Sequence, residues 1–363
     1  MNTVLMDNII FELQTIGGIS HYWYNLIKKQ MDTAECRFTE IPENCNNYYI
    51  DDIHIPRSKT VSLPSSLPLV LRRYKNIHVN SDIDVFHSSY YRYSSNSKNV
   101  TTVHDFMYEL FLNKYNLRNM VHRYQKYRAI YHSDFIISVS QSTLDDMIAL
   151  YPEFRDKKMT VIYHGHDPQF YPIENKQESI SLGNTILHRN EYFFYFGNRK
   201  DHKNFNTFLY GYSSLKKSGD LPKIVVAGGG EFTDYERNLI SELNLKNNIV
   251  KLGFMDNKII NLLLNYAAAF VFPSIYEGFG LPVLESLASG CPVVCCDSSS
   301  LKEVGGDAPV YFQQNDTGSF ERALKDVLKT VIRKQCIEKG LIQASKFSWE
   351  KAAEQTLDVY RSL

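Results

Sequence analysis

Short apolar runs that end in polar or glycine-containing turns recur along the chain, and stretches with helical spacing separate many of them. Runs of about four to eight apolar residues bounded by turn residues are typical of buried strands. Strands that alternate with helical segments favour parallel sheets. The runs interpreted as strands are residues 4–10, 84–87, 99–105, 135–139, 159–163, 192–196, 223–227, 267–272 and 291–296. This pattern predicts an α/β protein, and 363 residues are more than one hydrophobic core usually supports, so we expect two domains.

The segment after the strand at 267–272 carries the most specific pattern. Pro282 suits the first turn of a helix, where a missing backbone N–H costs nothing, and Gly290 suits the position just past the helix end. Gly278 and Gly280 directly precede this helix, so backbone amides can converge there, and the helix dipole adds partial positive charge. We therefore expect an anion to bind at this helix N-terminus.

Two carboxylates flank the expected anion site. Glu277 lies in the loop, and Glu285 follows eight residues later, about one turn into the helix. Since a carboxylate does not bind phosphate, each is expected to accept hydrogen bonds from hydroxyl groups as an ionised carboxylate. A diphosphate between two polyols is a nucleotide-sugar. The alternative is that Glu285 only complements the helix dipole and Glu277 is a solvated loop residue.

Glu277 and Glu285, with Gly-Phe-Gly-Leu-Pro between them, resemble the E-x7-E motif of retaining glycosyltransferases of family 4, which have the GT-B fold. The chain is most similar to the bacterial O-antigen, capsule and exopolysaccharide type. Other segments that carry the resemblance are Gly17-Gly18, His104-Asp105, Val139-Ser140, residues 197–204, residues 228–230 and residues 347–349.

The resemblance implies two doubly wound, Rossmann-like domains that face a cleft. Residues 1–170 would bind the acceptor, with a final helix at 347–363 packed back on them, and residues 190–346 would bind the donor. Residues 172–190 are polar and lack periodicity, which favours a linker. The implied reaction is hexosyl transfer with retention from a nucleotide-diphosphate sugar, GDP-mannose or else a UDP-hexose, in synthesis of lipopolysaccharide or another surface polysaccharide.

The resemblance also implies a set of donor-binding residues. The loop at 199–203 is rich in cations that would repel one another without an anion, which supports a diphosphate clamp by Arg199 and Lys203. The implied catalytic residues are His104, Arg199, Lys203 and Glu277. The implied donor-binding residues are Gly17, Gly18, Gly197, Arg199, Lys203, Gly228, Met255, Glu277, Gly278, Phe279, Gly280, Leu281 and Glu285.

Three other motifs are not assigned the function that their spacing suggests. Asp82-Ile83-Asp84 has the spacing of a metal-binding D-x-D, but Asp84 leads directly into an apolar strand, so both aspartates are interpreted as turn residues. No metal or other cofactor is expected. The glycines at 228–230 lack the further glycine of a dinucleotide fingerprint, since Thr233 occupies that position. His164 and His166 depart from the family pattern, so no role is carried over to them.

The N-terminal half is unevenly charged. Residues 56–128 contain twelve Lys/Arg and four Asp/Glu, although the whole chain has a formal net charge of zero. Together with many tyrosines and the apolar residues 67–71, this suggests an acceptor site and an anionic membrane surface as partners. A solvated basic face is the alternative, and no motif supports nucleic acid. The acceptor-binding candidates are Asp105, Arg72, Arg73 and Tyr90, with Lys75 beside them.

The N-terminus has no basic leader, and no apolar run reaches the roughly 18 residues of a membrane span. We therefore expect a cytoplasmic protein, associated peripherally with the inner face of the membrane. The six cysteines have no C-x-x-C spacing, so neither disulfides nor a zinc site is expected. Two functional alternatives stay open: a nucleotide-sugar epimerase or phosphorylase on the same fold, although a phosphorylase would be a longer chain, and a non-catalytic protein that binds sugar nucleotides.

Overall fold

The computed structural model describes residues 2–63, 67–112, 115–217 and 219–363. Pro64, Ser65, Ser66 and Lys114, which belong to the predicted basic and apolar N-terminal surface, lie outside the described residues. The chain forms two compact units, one made of Met1–Gly165 and Ser348–Leu363 and the other of His166–Phe347. Within the described part of the chain, no helix is long and apolar enough to span a membrane.

The first unit is built on a parallel sheet of seven strands. In chain order these are β1 (Val4–Asp7), β2 (Cys36–Thr39), β3 (Thr60–Val61), β4 (Val85–Ser88), β5 (Lys98–Val103), β6 (Phe135–Ser138) and β7 (Met159–Val161). Their order in the sheet is β3-β2-β1-β4-β5-β6-β7. The helices are α1 (Ile10–Leu13), α2 (Gly18–Gln30), α3 (Leu69–Arg72), α4 (Met107–Leu110), α5 (Leu117–His132) and α6 (Gln141–Leu150), with α14 (Trp349–Arg361) returning from the far end of the chain.

The second unit has a parallel sheet of six strands and a separate hairpin. The hairpin pairs β8 (Ser179–Leu182) with β9 (Thr185–His188); the sheet contains β10 (Tyr192–Phe196), β11 (Lys223–Ala227), β12 (Ile249–Lys251), β13 (Ala269–Phe272), β14 (Val293–Cys296) and β15 (Val310–Phe312). The sheet order is β12-β11-β10-β13-β14-β15. The helices are α7 (Phe205–Lys216), α8 (Asp234–Glu242), α9 (Asn257–Tyr266), α10 (Leu281–Ala288), α11 (Leu301–Gly305), α12 (Thr317–Asp326) and α13 (Thr330–Ala344).

Both sheets follow from their apolar strands, because a parallel sheet covered by helices buries both faces. Every residue of β1, β4, β13 and β14 is buried. The α/β class with two Rossmann-like domains is therefore confirmed. The linker expected at 172–190 is wrong for residues 179–188, which form the β8–β9 hairpin and belong to the second unit.

Helix α14 is an integral part of the first unit. Its buried face carries Ala352, Ala353 and Tyr360. The Tyr360 hydroxyl and Nδ1 of His87, on β4, lie 2.6 Å apart. The side-chain amide of Gln30 donates to the carbonyl of Ala353 over 3.1 Å, which joins α2 to α14. These polar groups are buried, and hydrogen bonds between them replace those that they would make to water.

Candidate active site

Helix α10 begins at the glycine loop that the sequence singled out. Gly280 lies at the N-cap with φ +102°, a left-handed conformation that side chains rarely adopt, and Pro282 falls in the first turn. Gly290 ends the helix with φ +68°. The predicted strand, loop and helix are all confirmed. Gly278 and Phe279 lie in this loop, and Leu281 is the first residue of the helix.

Two serines outside the motif hold the loop in place. The hydroxyl of Ser300 donates to the carbonyls of Glu277 and Phe279 over 2.9 and 2.8 Å. The backbone amide of Glu277 donates to the Ser299 hydroxyl over 3.0 Å. Sequence reasoning missed both serines, since nothing in their spacing connects them to a loop more than 20 residues earlier.

Lys203 and Glu277 form an ion pair at this loop, with 2.5 Å between Nζ and Oε1. Their side chains are only 15% and 14% exposed, so solvent screens the pair weakly. The two loops are also joined by backbone, because the amide of Ile275 donates to the carbonyl of His202 over 2.9 Å. The sequence singled out Lys203 and Glu277 separately, and the structure brings them together.

Arg199 is occupied by contacts within the second unit. Its Nε donates to Glu236 over 2.7 Å, and its Nη atoms donate to the backbone carbonyls of Gly228, Gly230 and Glu231 over 2.8–3.2 Å. The side chain is 4% exposed. In this conformation Arg199 fixes the glycine turn after β11 instead of presenting its donors to a diphosphate. Lys203, in contrast, contacts the loop before α10 through Glu277.

Backbone bonds tie together the turns that follow β10, β11 and β12. The amide of Gly197 donates to Ala227, and the amide of Gly228 donates to Gly253, each over 3.1 Å. Gly228 has φ +71°, a left-handed conformation in which any other residue would be strained. Met255 is half-buried in the turn after β12. These candidates lie at the carboxyl edge of the sheet, where open α/β sheets bind their ligands.

Glu285 is buried inside α10, and its ionisation is shifted. Burial, followed by the charge of Asp167, raises the pKa of the Glu285 carboxyl to about 8. The carboxyl therefore holds its proton at neutral pH in the free protein. The expectation of an ionised carboxylate at this position concerns the nucleotide-bound state and stays a prediction; in the free protein the cost of burying the charge favours the protonated acid.

In the first unit, His104 follows β5 and is buried. Burial lowers the pKa of His104 to about 4, with Asp105 opposing the shift and Lys126 adding to it. The imidazole is therefore neutral at physiological pH. The ring of Tyr22 meets His104 edge-on, with 5.0 Å between centroids. His164 stacks on Trp349 with centroids 5.3 Å apart, so the histidine that departs from the family pattern lies in an aromatic cluster of the first unit.

The glycines near the start of the chain precede α2 as predicted. Gly17 has extended backbone, and a Cβ there would approach Oε1 of Gln14 to 2.6 Å, whereas Gly18 is the first helical residue and has open space around it. Their assignment to the donor stays a prediction.

The acceptor candidates separate into two places. Arg72 pairs with Glu12 at a polar cavity of about 280 Å³. Arg73 instead lies over the ring of Tyr90, with 5.0 Å from the guanidinium carbon to the centroid. Asp105 accepts a hydrogen bond from the amide of Met107 at the start of α4 over 3.0 Å. Because both arginines have partners inside the unit, changing them would disturb the fold as well as any ligand.

The D-x-D aspartates have structural partners. Asp84 accepts from the amide of Thr3 over 2.8 Å, and Asp82 lies 3.8 Å from Arg37. Across the described residues there is no cluster of three or more His, Cys, Asp or Glu arranged to hold a metal ion.

The two units, each built on a parallel sheet, have the architecture of the GT-B fold. Residues 16–170 match the family described as Glycosyltransferase Family 4, and residues 177–343 match the family described as Glycosyl transferases group 1. The two matches cover complementary halves of the chain, which belongs to these families and is a glycosyltransferase enzyme.

Among similar proteins, O-antigen chain mannosyltransferase B of Escherichia coli is 26% identical, over 98% of this chain and 100% of that protein. The N-acetylgalactosamine-N,N'-diacetylbacillosaminyl-diphospho-undecaprenol 4-alpha-N-acetylgalactosaminyltransferase of Campylobacter jejuni is 29% identical, over 67% of this chain and 64% of that protein. The structure of Anabaena HepE in complex with UDP and glucose superimposes with a TM-score of 0.73 at 18% identity and covers all of both chains.

Proposed function

We propose that this enzyme transfers a hexose, with retention of anomeric configuration, from a nucleotide-diphosphate sugar to a saccharide acceptor. The observation that carries the proposal is the Lys203–Glu277 pair at the N-terminus of α10, with Glu285 buried one turn further on. A cation and helix amides favour a diphosphate, and two carboxyl groups suit the hydroxyls on either side of it.

The residues of the second unit have separable roles in this proposal. Lys203 and the amides at the start of α10 stabilise the charge of the departing nucleotide diphosphate. Glu277 accepts a hydrogen bond from a hydroxyl of the transferred sugar and holds Lys203 in position. Glu285 accepts hydrogen bonds from the ribose hydroxyls of the nucleotide. Arg199 acts as a positioning residue, because its donors shape the turn at 228–231.

His104 contributes a neutral imidazole in the first unit. Since its pKa is lowered to about 4, it can donate through one nitrogen and accept through the other at physiological pH. We assign it to a hydroxyl of the donor sugar. The chemistry assigned to Lys203 and the helix amides requires no metal.

We propose mannose, carried by GDP, as the donor sugar and a lipid-diphosphate-linked saccharide as the acceptor. The support is the similarity over the whole chain to an O-antigen mannosyltransferase, and a second relative whose name specifies a diphospho-undecaprenol substrate. A UDP-hexose donor is the second choice. An acceptor of this kind places the enzyme at the cytoplasmic face of a membrane, where exposed apolar side chains near basic residues on the first unit would dock reversibly.

Two other functions make different predictions. An epimerase on the same fold would convert a nucleotide-sugar without an acceptor, and a non-catalytic binding protein would neither hydrolyse nor transfer it. A panel of nucleotide-sugars, scored for thermal stabilisation and for slow hydrolysis, separates the three. We expect one donor to stabilise the protein and to be hydrolysed to nucleotide and free sugar. An epimeric nucleotide-sugar product, or stabilisation without any turnover in the presence of lipid-linked acceptors, would refute the transferase.

A further inference from the structure

A small cavity opens in the first unit between the turn that follows α3 and helix α5. Its volume is about 140 Å³, and its walls are mainly aromatic and basic. The lining residues that matter here are Lys75, Tyr91, Arg92, Tyr93, Tyr124 and Arg128. Among the described residues that line this cavity, none is acidic. All of these residues belong to the first unit.

The cavity has positive charge available for a ligand. Arg92 is already paired with the buried Asp7, so the charge that remains is that of Lys75 and Arg128. The Arg128 guanidinium lies over the ring of Tyr93, 5.1 Å from its centroid, and bonds to the Tyr93 hydroxyl. Lys75 is exposed at the rim. Aromatic walls with two cations favour an anion that is partly removed from water.

Two histidines on α5 have lowered pKa values, first because they lose solvation and second because cations lie near them. Burial and then Arg73 and Arg118 lower the pKa of His122 to about 4. Burial and then Arg128 lower the pKa of His132. Near both His122 and His132, neighbouring cations oppose protonation of the imidazole.

Exposed apolar side chains continue from the cavity along the surface. Leu117, Met120 and Tyr124 are 74%, 51% and 63% exposed and follow one another at helical spacing on one face of α5. Val70 and Leu71 of α3, just before Lys75, are also exposed. An anion-binding cavity beside an exposed apolar stripe suits an amphiphile with an anionic head.

We propose that this cavity binds the diphosphate of a polyisoprenyl lipid, with the isoprenoid chain lying along the exposed apolar face of α5. This inference rests on the lipid-linked acceptor proposed above and assigns that lipid a site of its own. The oxygens of the diphosphate accept from Lys75 and Arg128, and Tyr124 covers the first part of the chain.

The test uses the full chain and farnesyl diphosphate, a short isoprenoid, with binding followed by calorimetry. We expect Lys75→Gln and Arg128→Gln each to weaken binding by about tenfold or more, as for loss of a hydrogen bond to a charged group. Lys98→Gln is the matched control, because it removes one exposed charge of the same unit outside the cavity. Tyr124→Ala should weaken binding, whereas Tyr131→Ala, equally exposed on the same helix at 58%, should not.

Two further ligands identify the chemistry that is recognised. Inorganic diphosphate should bind at least tenfold more weakly than farnesyl diphosphate, and so should dihexanoyl phosphatidylglycerol below its micelle concentration. If inorganic diphosphate binds as tightly as farnesyl diphosphate, the proposed role of the isoprenoid chain is overturned. If phosphatidylglycerol binds as tightly as farnesyl diphosphate, the assignment of the ligand as an isoprenoid is overturned. Wild-type binding by both Lys75→Gln and Arg128→Gln would overturn the site. Nucleotide binding is measured on the same samples: its absence refutes the proposed transferase, whereas its presence without lipid binding refutes only this inference.

Discussion

Nucleotide affinity should depend on pH through Glu285. The free protein holds this carboxyl protonated, with a pKa of about 8, whereas two ribose hydroxyls that donate to it require the ionised form. Binding must then be accompanied by release of the proton. Because the folded pKa is raised, affinity should increase as pH rises through about 8 and become constant above it.

The magnitude follows from the ionised fraction. With a pKa of about 8, about one molecule in eleven is ionised at pH 7, so affinity there should be about tenfold weaker than at pH 9, or ~1.4 kcal/mol. Calorimetry of nucleotide binding between pH 7 and 9.5 measures this slope. Repeating it in buffers of different ionisation enthalpy counts the protons released, which should approach one at pH 7 and zero above pH 9.

Glu285→Gln is the matched variant, because the amide has the shape of the protonated acid and cannot ionise. Its nucleotide affinity should be nearly independent of pH over the same range. A wild-type affinity that does not change with pH, or a Gln variant that keeps the full slope, would refute the assignment of Glu285 to the ribose.

Three other outcomes are expected. Glu285→Ala should weaken the binding of free nucleotide and of donor alike by about 1 to 3 kcal/mol, whereas Glu277→Ala should leave the binding of free nucleotide unchanged and lower turnover. Calorimetry and rate measurements on both variants test these roles, which are contradicted if both variants bind nucleotide equally. EDTA should leave turnover nearly unchanged because Lys203 and helix amides supply the positive charge, and loss of activity restored by Mn²⁺ or Mg²⁺ would instead implicate Asp82 and Asp84. Gly165→Ala should lower the melting temperature, at a cost of about 1–3 kcal/mol, because its Cβ would lie 2.2 Å from the amide nitrogen of Trp349; Gly18→Ala, with open space around it, is the control, and equal melting temperatures would contradict the packing.

Local patterns predicted the parts of the fold that depend on local interactions. The strand at 267–272, the loop and helix α10 were predicted because Pro282 and the flanking glycines act on their own backbone. Ser140 is the N-cap of α6, and its hydroxyl accepts from the amide of Thr143 over 3.0 Å.

The β8–β9 hairpin was missed although its signal was present. Gly183 and Asn184 separate the short runs Ser-Ile-Ser-Leu and Thr-Ile-Leu-His, of which the first alternates polar and apolar residues, and Gly183 has φ +58°. The polar composition of the segment outweighed that signal and led to the expectation of a linker.

The state of the candidate site depends on distant residues, which sequence patterns do not reveal. Arg199 is bound by Glu236, 37 positions later, and Lys203 by Glu277, 74 positions later. The motif identified Glu285, but its protonation depends on burial and on Asp167, more than 100 positions earlier. The types of side chain could be predicted, but their partners and charges required the tertiary structure.

The position of α14 in the first unit has a consequence for synthesis on the ribosome. Trp349, Ala353 and Tyr360 fill the core of a unit whose other elements all precede the second unit in the chain. While the ribosome translates residues 166–347, the nascent first unit lacks this helix, and the apolar face of α2 that α14 covers stays exposed to solvent. The second unit can thus complete its fold before the first one does, and the apolar surface exposed during that interval makes the nascent chain prone to aggregation.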